Sequence, residues 1–331
     1  MGVTLRLIAG LLAATPALSA GAEPNERRQD VILVVGAAGA EEYGSMFTTW
    51  ADKWRDAAER AGANIVQIGR SKAESSDRQQ LRNTLEAGGR PDCELLWIVL
   101  LGHGTYDGTA AKFNLRGPDV TAAELSDWVT PLDTPTVIIN CASSSGPFVN
   151  VLAAEDRVVI SAAKSGFELN FARFGGFLAD AITDPAADLD KDDQVSLLEA
   201  YLTACRRVNE YYENDDRLVT EHALLDDNGD GLGTPASWFR GLRATQRAES
   251  GAELDGTRAH QVHLLPSSRE ANMPRNSRDQ RDNLERQLAT LREQKVTMDE
   301  SEYFAQLEEL MLKLARLYHG RQEAVDQSVD E

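Results

Sequence analysis

The feature that most limits what this chain can become is an alternation. Across residues 29–244, short near-continuous Val/Ile/Leu runs take turns with stretches of helical spacing. "DVILVVG", "NIVQIG", "CELLWIVLLG", "TPTVIINC" and "DRVVISAA" read as strands. Their uniform apolarity is that of strands covered on both faces. Between them, "SMFTTWADKWRDAAERAG" places Phe47, Trp50, Trp54 and Ala58 on one stripe. "SSDRQQLRNTLEAGG" has a Ser76 or Asp77 cap, and "TAAELSDWV" opens on a Thr121-x-x-Glu124 capping box. "FGGFLADAI" and "VSLLEAYLTACRRVNEYYEN" complete the helices. Strand–helix alternation of this kind predicts an α/β domain with a mostly parallel sheet and helices on both sides.

The composition changes after residue 244. Residues 245–275 are polar and rich in Gly, Ser and Pro, which predicts a linker. Over 276–321, leucines at three- and four-residue spacing predict a helical hairpin with one apolar face. It would pack on its own domain or on a second copy. Residues 322–331 read as a disordered tail.

At the other end, Arg6, an apolar run from Leu7 to about Leu18 and then Ala20-Gly21-Ala22 have signal-peptide form, with residues 1–22 removed on export to the periplasm or the medium. No later segment approaches a membrane span. A net charge of −19 and a pI near 4.7 argue against nucleic acid, which calls for a basic face. Of the three cysteines, Cys93 and Cys205 would either pair or stay as buried thiols. Cys141 has the surroundings of a chemical residue.

His103 ends the apolar run "LLWIVLLGH", and Cys141 ends "TVIINC". In a parallel sheet, chemistry gathers outside the carboxyl ends of the strands. If these two strands are neighbours, a thiol and an imidazole meet at one edge. The imidazole would then lower the thiol's pKa or take its proton. Gly102 and Gly104 flank the histidine and permit close approach of backbone to ligand. The amides of Gly104 and Cys141 are the expected oxyanion donors.

"LLGHGTYDG" and "VIINCASSSG", in that order at strand ends, resemble the caspase-like cysteine peptidases, most of all the legumain type and its bacterial relatives. "VVISAAKSGFELNFARFGGFLADAI" resembles the strand and loop that help form this group's specificity pocket. The resemblance covers roughly residues 29–240 and implies a caspase-like three-layer sandwich. It also implies an endopeptidase acting on a protein or peptide substrate. In it Cys141 attacks the carbonyl, His103 serves the leaving amine, and the Gly104 and Cys141 amides hold the oxyanion. Ser161, Lys164, Glu168 and Arg173 are the candidate substrate-binding residues. One departure is plain: where legumains have an asparagine that orients the histidine, the turn here holds Ala37 and Ala38. That departure supports one rival, a catalytically weak or inactive binding protein of the same fold; a second rival is a different cysteine hydrolase such as an amidase. The legumain group also suggests that the C-terminal helices cover the active site.

A second motif is "DLDKDDQVSLLE". Asp188, Asp190, Asp192, Gln194, Ser196 and Glu199 occupy the first, third, fifth, seventh, ninth and twelfth places of an EF-hand loop. This predicts a structural calcium ion. Asp193 stands where glycine is usual, which would strain the turn. An acidic helix N-terminus favoured by the macrodipole is the other reading. "DDNGDG", Asp226–Gly231, has the first half of such a loop, but Ser237 stands at the twelfth place, so it reads first as a glycine-rich turn and otherwise as a loop sharing one ion with the other.

Overall fold

The computed structural model describes residues 28–329, apart from positions 72, 73, 89, 91 and 252. The leader-like segment lies outside the described residues, as do the last two positions of the expected tail.

The core is a seven-stranded sheet. Its strands are β1 (Gln29–Val35), β2 (Asn64–Ile68), β3 (Leu95–Leu101), β7 (Thr136–Asn140), β8 (Arg157–Ser161), β9 (Leu224–Asp226) and β10 (Thr234–Pro235). Their spatial order is β10-β9-β8-β7-β3-β1-β2. The strands from β2 to β8 run parallel, β9 lies antiparallel to β8, and β10 lies antiparallel to β9. Between β3 and β7 the chain makes a small antiparallel sheet of β4 (Gly104–Tyr106), β5 (Ala111–Phe113) and β6 (Val120–Thr121). β11 (Phe239–Arg240) and β12 (Arg243–Ala244) form a hairpin.

Side-chain alternation sends successive strand residues to opposite layers. Val31, Leu33, Leu95, Trp97, Val99, Leu101, Val137 and Ile139 pack with helices α1 (Glu41–Arg60), α5 (Phe174–Ala181) and α6 (Leu197–Asn214). Ile32, Val34, Leu96, Ile98, Leu100 and Ile138 pack with α2 (Asp77–Glu86), α3 (Ala122–Val129) and α4 (Gly146–Leu152). The expected mostly parallel α/β sheet with helices on both faces is therefore what the chain forms. The helix starts behave as their sequences predict: Ser76 caps α2, and Thr121 with Glu124 closes a capping box on α3.

Three expectations for the C-terminal part change. Residues 245–275 hold two short helices, α7 (Thr257–His260) and α8 (Ser268–Ala271), and bury Asp255, Ala259, Gln261, Val262, His263 and Leu264. They are docked rather than a free linker, because polar side chains here bond to the domain. Helix α10 (Glu300–Val329) also continues across most of the stretch expected as a tail.

The third change concerns position. Helix α9 (Arg275–Gln294) and α10 form the expected hairpin, packing Leu284, Leu288 and Leu291 against Tyr303, Leu310 and Leu314. The C-terminal part attaches at the amino-terminal ends of the strands. Gln29 Nε2 donates to the Leu264 carbonyl at 3.1 Å, Arg258 pairs with Asp156 at 2.6 Å, and Arg278 pairs with Glu94 at 3.3 Å. His103 follows the opposite end of β3. The hairpin therefore does not cover the edge that carries His103, and the idea that it shields an active site is not supported. Among the described residues, no helix is long and apolar enough to cross a membrane.

Candidate active site

β3 and β7 are parallel neighbours, with Leu100 beside Asn140. The His103 and Cys141 segments therefore leave the sheet at the same edge. What the sequence does not reveal is their relative height. The Cys141 amide donates to the Leu100 carbonyl at 2.9 Å, which continues the strand ladder by one residue and sets Cys141 level with Leu101. Counting on from there, Ala142 comes level with Gly102 and Ser143 with His103. Contacts at Gly104 agree. A Cβ placed there would lie 2.1 Å from the Ser143 carbonyl oxygen and 3.2 Å from the Ala142 Cβ.

Cys141 is fully buried, in the layer formed with α1 and α5. Gly175 lies directly over it: a Cβ at that position would meet the thiol sulfur at 3.1 Å and the Trp50 ring at 3.2 Å. Burial alone drives the thiol's pKa far up, and no cationic group opposes it. Reactive thiols sit in electropositive, partly open surroundings. Cys141 has neither in this structure.

The expected oxyanion donors are also engaged. The Cys141 amide is held by Leu100. The Gly104 amide donates to the Ser143 hydroxyl at 3.4 Å, and that hydroxyl donates to the Gly104 carbonyl at 3.1 Å.

His103 is half-buried and firmly oriented. Its Nε2 lies 3.1 Å from the Ala38 carbonyl. A carbonyl only accepts, so Nε2 carries the proton and Nδ1 is the basic nitrogen of the neutral ring. Edge-to-face contacts with Tyr43 at 4.8 Å and Phe47 at 5.1 Å fix its plane, and Phe171 lies 5.7 Å away. Backbone and aromatic rings thus do the orienting that the turn residues Ala37 and Ala38 cannot do with side chains.

Of the four expected pocket residues, only Lys164 and Glu168 meet. Ser161 is fully buried and donates to the Ala163 carbonyl at 2.8 Å. The Arg173 guanidinium lies over the Tyr211 ring at 4.3 Å and the Phe171 ring at 5.7 Å. Lys164 is exposed, its ammonium 3.9 Å from Glu168. Glu168 turns instead to His222, 2.5 Å from its Nδ1. Sequence reasoning missed that pair, and also Phe167 and Leu169, which are 75% and 64% exposed on the same rim. It missed Ser143 and Ser144 too. Ser144 has a φ of 56° and a buried hydroxyl without a hydrogen-bond partner. The run "ASSSG" was the available signal: three small polar residues between a strand and a helix.

All three cysteines are free thiols. Cys93 donates to the Leu95 carbonyl, and burial raises the Cys205 thiol to about 12.

In the acidic loop, carboxylate oxygens of Asp188, Asp190 and Asp192 lie within 4.8 Å of one another. Asp192 is shifted up, chiefly by desolvation and further by the charges of Asp190 and Glu199. A hard cation would relieve that crowding. Asp193 does adopt a left-handed φ of 70°, as its replacement of glycine suggested. Gln194 is turned to Asp192 and accepts from the Ser267 amide. Glu199 is buried, with one oxygen on the amides of Leu189 and Asp190 and the other on the Ser196 amide and hydroxyl. The helix-capping reading of Glu199 is thus realised. The residues fit a cation through the three aspartates, with Glu199 serving to close the loop.

No family model and no curated sequence matches the chain. Among solved structures it is similar to the Drosophila initiator caspase Dronc, at 13% identity and a TM-score of 0.42 over 70% of this chain and 95% of that one. It is similar to caspase-1 from Spodoptera frugiperda, at 10% and 0.42 over 67% and 94%. A third similarity is to Chaetomium thermophilum Raptor, at 11% and 0.33 over 50% of this chain and 18% of that one. These likenesses are too distant to assign a role to any residue.

Proposed function

We propose that this chain is a catalytically silent caspase-like protein that binds a polypeptide at the carboxyl-terminal rim of its sheet. The observation that carries this reading is the burial of Cys141, level with Leu101 and beneath Gly175. A fully buried thiol whose pKa burial drives up, beside engaged oxyanion donors, is poorly placed for acyl transfer. We favour this reading over the endopeptidase expected from the two motifs. The binding half of the reading is supported by Phe167 and Leu169, which stand out into solvent with Tyr106 packed edge-on against Phe167 at 5.2 Å. Exposed aromatics beside a rigid sheet edge suit an apolar peptide anchor. The leader-like opening supports action outside the cytoplasm. We also propose calcium as the ion of the 188–199 loop.

The test combines a thiol-directed peptidyl probe with a peptide library on the full mature chain. No labelling of Cys141 and no cleavage are expected, together with peptide binding that weakens at least about tenfold in Phe167→Ala/Leu169→Ala. Probe labelling lost in Cys141→Ala, with peptide cleavage, would restore the peptidase.

A further inference from the structure

The segment 162–173, between β8 and α5, carries both Phe167 and Leu169. Its anchor is the residue between them. Glu168 is nearly buried, with 13% of its side chain exposed. One carboxylate oxygen accepts from the amides of Lys164 at 2.9 Å and His222 at 3.1 Å, and the other faces His222 Nδ1 at 2.5 Å. The Glu168 carbonyl also accepts from the Ser144 amide at 2.8 Å. One residue thus fastens the segment to the stretch before β9 on one side and to the β7–α4 turn on the other.

The turn it fastens is strained. Ser144 adopts a left-handed conformation that residues with a Cβ avoid, and its hydroxyl is buried unpartnered. Such a conformation persists only where the surroundings impose it.

We propose that Glu168 and His222 form a pH-responsive latch, which sets how tightly the segment 162–173 is held on the rim and so how Phe167 and Leu169 are presented. Protonated His222 makes a charge-assisted bond to the carboxylate; neutral His222 makes a weaker one. The His222 side chain is 42% exposed, so solvent protons reach it. The surrounding charged and titratable groups are few. Lys164 lies 3.9 Å from Glu168 on the same segment, and Arg173, further along it, is held over Tyr211. Glu221, beside His222 in the chain, is bound by the Arg173 and Phe174 amides and the Tyr212 hydroxyl. Cys205 of α6 lines the same small cavity as Glu221 and His222. The β7–α4 turn contributes the buried Cys141 thiol besides its serines, and Tyr106 of β4 lies against Gly166 and Phe167 of the segment.

The consequence for a partner rests on the binding-rim reading above, but the latch is measured on the free chain. Amide hydrogen exchange of Ser144, Lys164 and His222 is followed between pH 5.5 and 8.5, with intrinsic rates divided out. Protection should fall about tenfold on deprotonation of His222, the change expected when a charge-assisted hydrogen bond becomes neutral. Glu168→Gln should give low protection that no longer depends on pH. His222→Gln, a change at a partly exposed side chain, should also be flat in pH and serves if Glu168→Gln fails to fold. Protection that is flat in the wild type, or a pH response that survives both variants, overturns the latch. Loss of peptide binding with the exchange behaviour intact would sink only the rim reading.

Discussion

Ser143, not Cys141, is the residue that meets Gly104: one hydroxyl accepts from the glycine amide at 3.4 Å and donates to its carbonyl at 3.1 Å. The β7 chain has passed beyond Cys141 by the time it reaches the height of the histidine. The first expectation follows directly. A thiol moved to this place, itself buried, should gain polar neighbours that Cys141 lacks.

In Cys141→Ala/Ser143→Cys, alkylation by iodoacetamide should exceed that of Cys141 in the wild type by at least about tenfold, since the thiolate fraction rises when the sulfur leaves the apolar layer for polar neighbours. Mass spectrometry of the labelled peptide gives the rates. Equal labelling of the two thiols would mean that Cys141 is more open than its burial indicates.

The hairpin depends on Arg281. Its guanidinium is almost buried and bridges Glu270 and Asp282. Removing one member of a buried, hydrogen-bonded ion network leaves the others uncompensated, at about 3–5 kcal/mol. Arg281→Met should therefore free the segment α8–α9 to proteolysis at sites the wild type protects. An unchanged digestion pattern with unchanged urea stability would show that the leucine contacts alone hold the hairpin.

Asp226 gives a pH dependence of definite sign. Burial, helped by the nearby Asp230 charge, raises its carboxyl to about 7. Because the folded value exceeds the unfolded 3.8, the contribution to stability is full below about pH 4 and is lost as pH rises towards 7. The buried pair Asp227 and Asp255 is shifted upwards as well, again chiefly by desolvation. Denaturant midpoints measured from pH 4 to 8 in metal-free buffer should fall more steeply in the wild type than in Asp226→Asn. Parallel curves would remove Asp226 as a source of the slope.

Calcium should raise the melting temperature, with saturation, because a ligand that binds only the folded state stabilises it by about 2.7 kcal/mol at a hundredfold excess over Kd. Asp190→Asn/Asp192→Asn should remove the shift while leaving the apo melting temperature equal or higher, since crowded like charges are relieved. A shift that persists in this variant would place the ion elsewhere.

Much of the architecture was legible because burial leaves a direct trace. "LLWIVLL" can hardly be anything but a strand covered on both faces, and it is fully buried throughout β3. The meeting of the His103 and Cys141 segments at one edge was legible for the same reason. The height of each residue along that edge was not. A parallel ladder fixes side-chain direction by parity, and a difference of one or two residues separates a core position from the rim. Nothing in "NCASSSG" marks where the ladder stops. The docking of residues 245–275 was hidden for a different cause. Polar composition looks like a linker until its partners, such as Asp227 receiving the Gly256 and Ala259 amides, are brought in by distant parts of the chain.

The hairpin's attachment beside Glu94 and Asp156 also decides where a partner can approach. The seven residues of β3 separate its docking site from His103, a span of about 20 Å. A polypeptide lodged near Phe167, as proposed, would therefore meet the sheet at the pole that the hairpin leaves open.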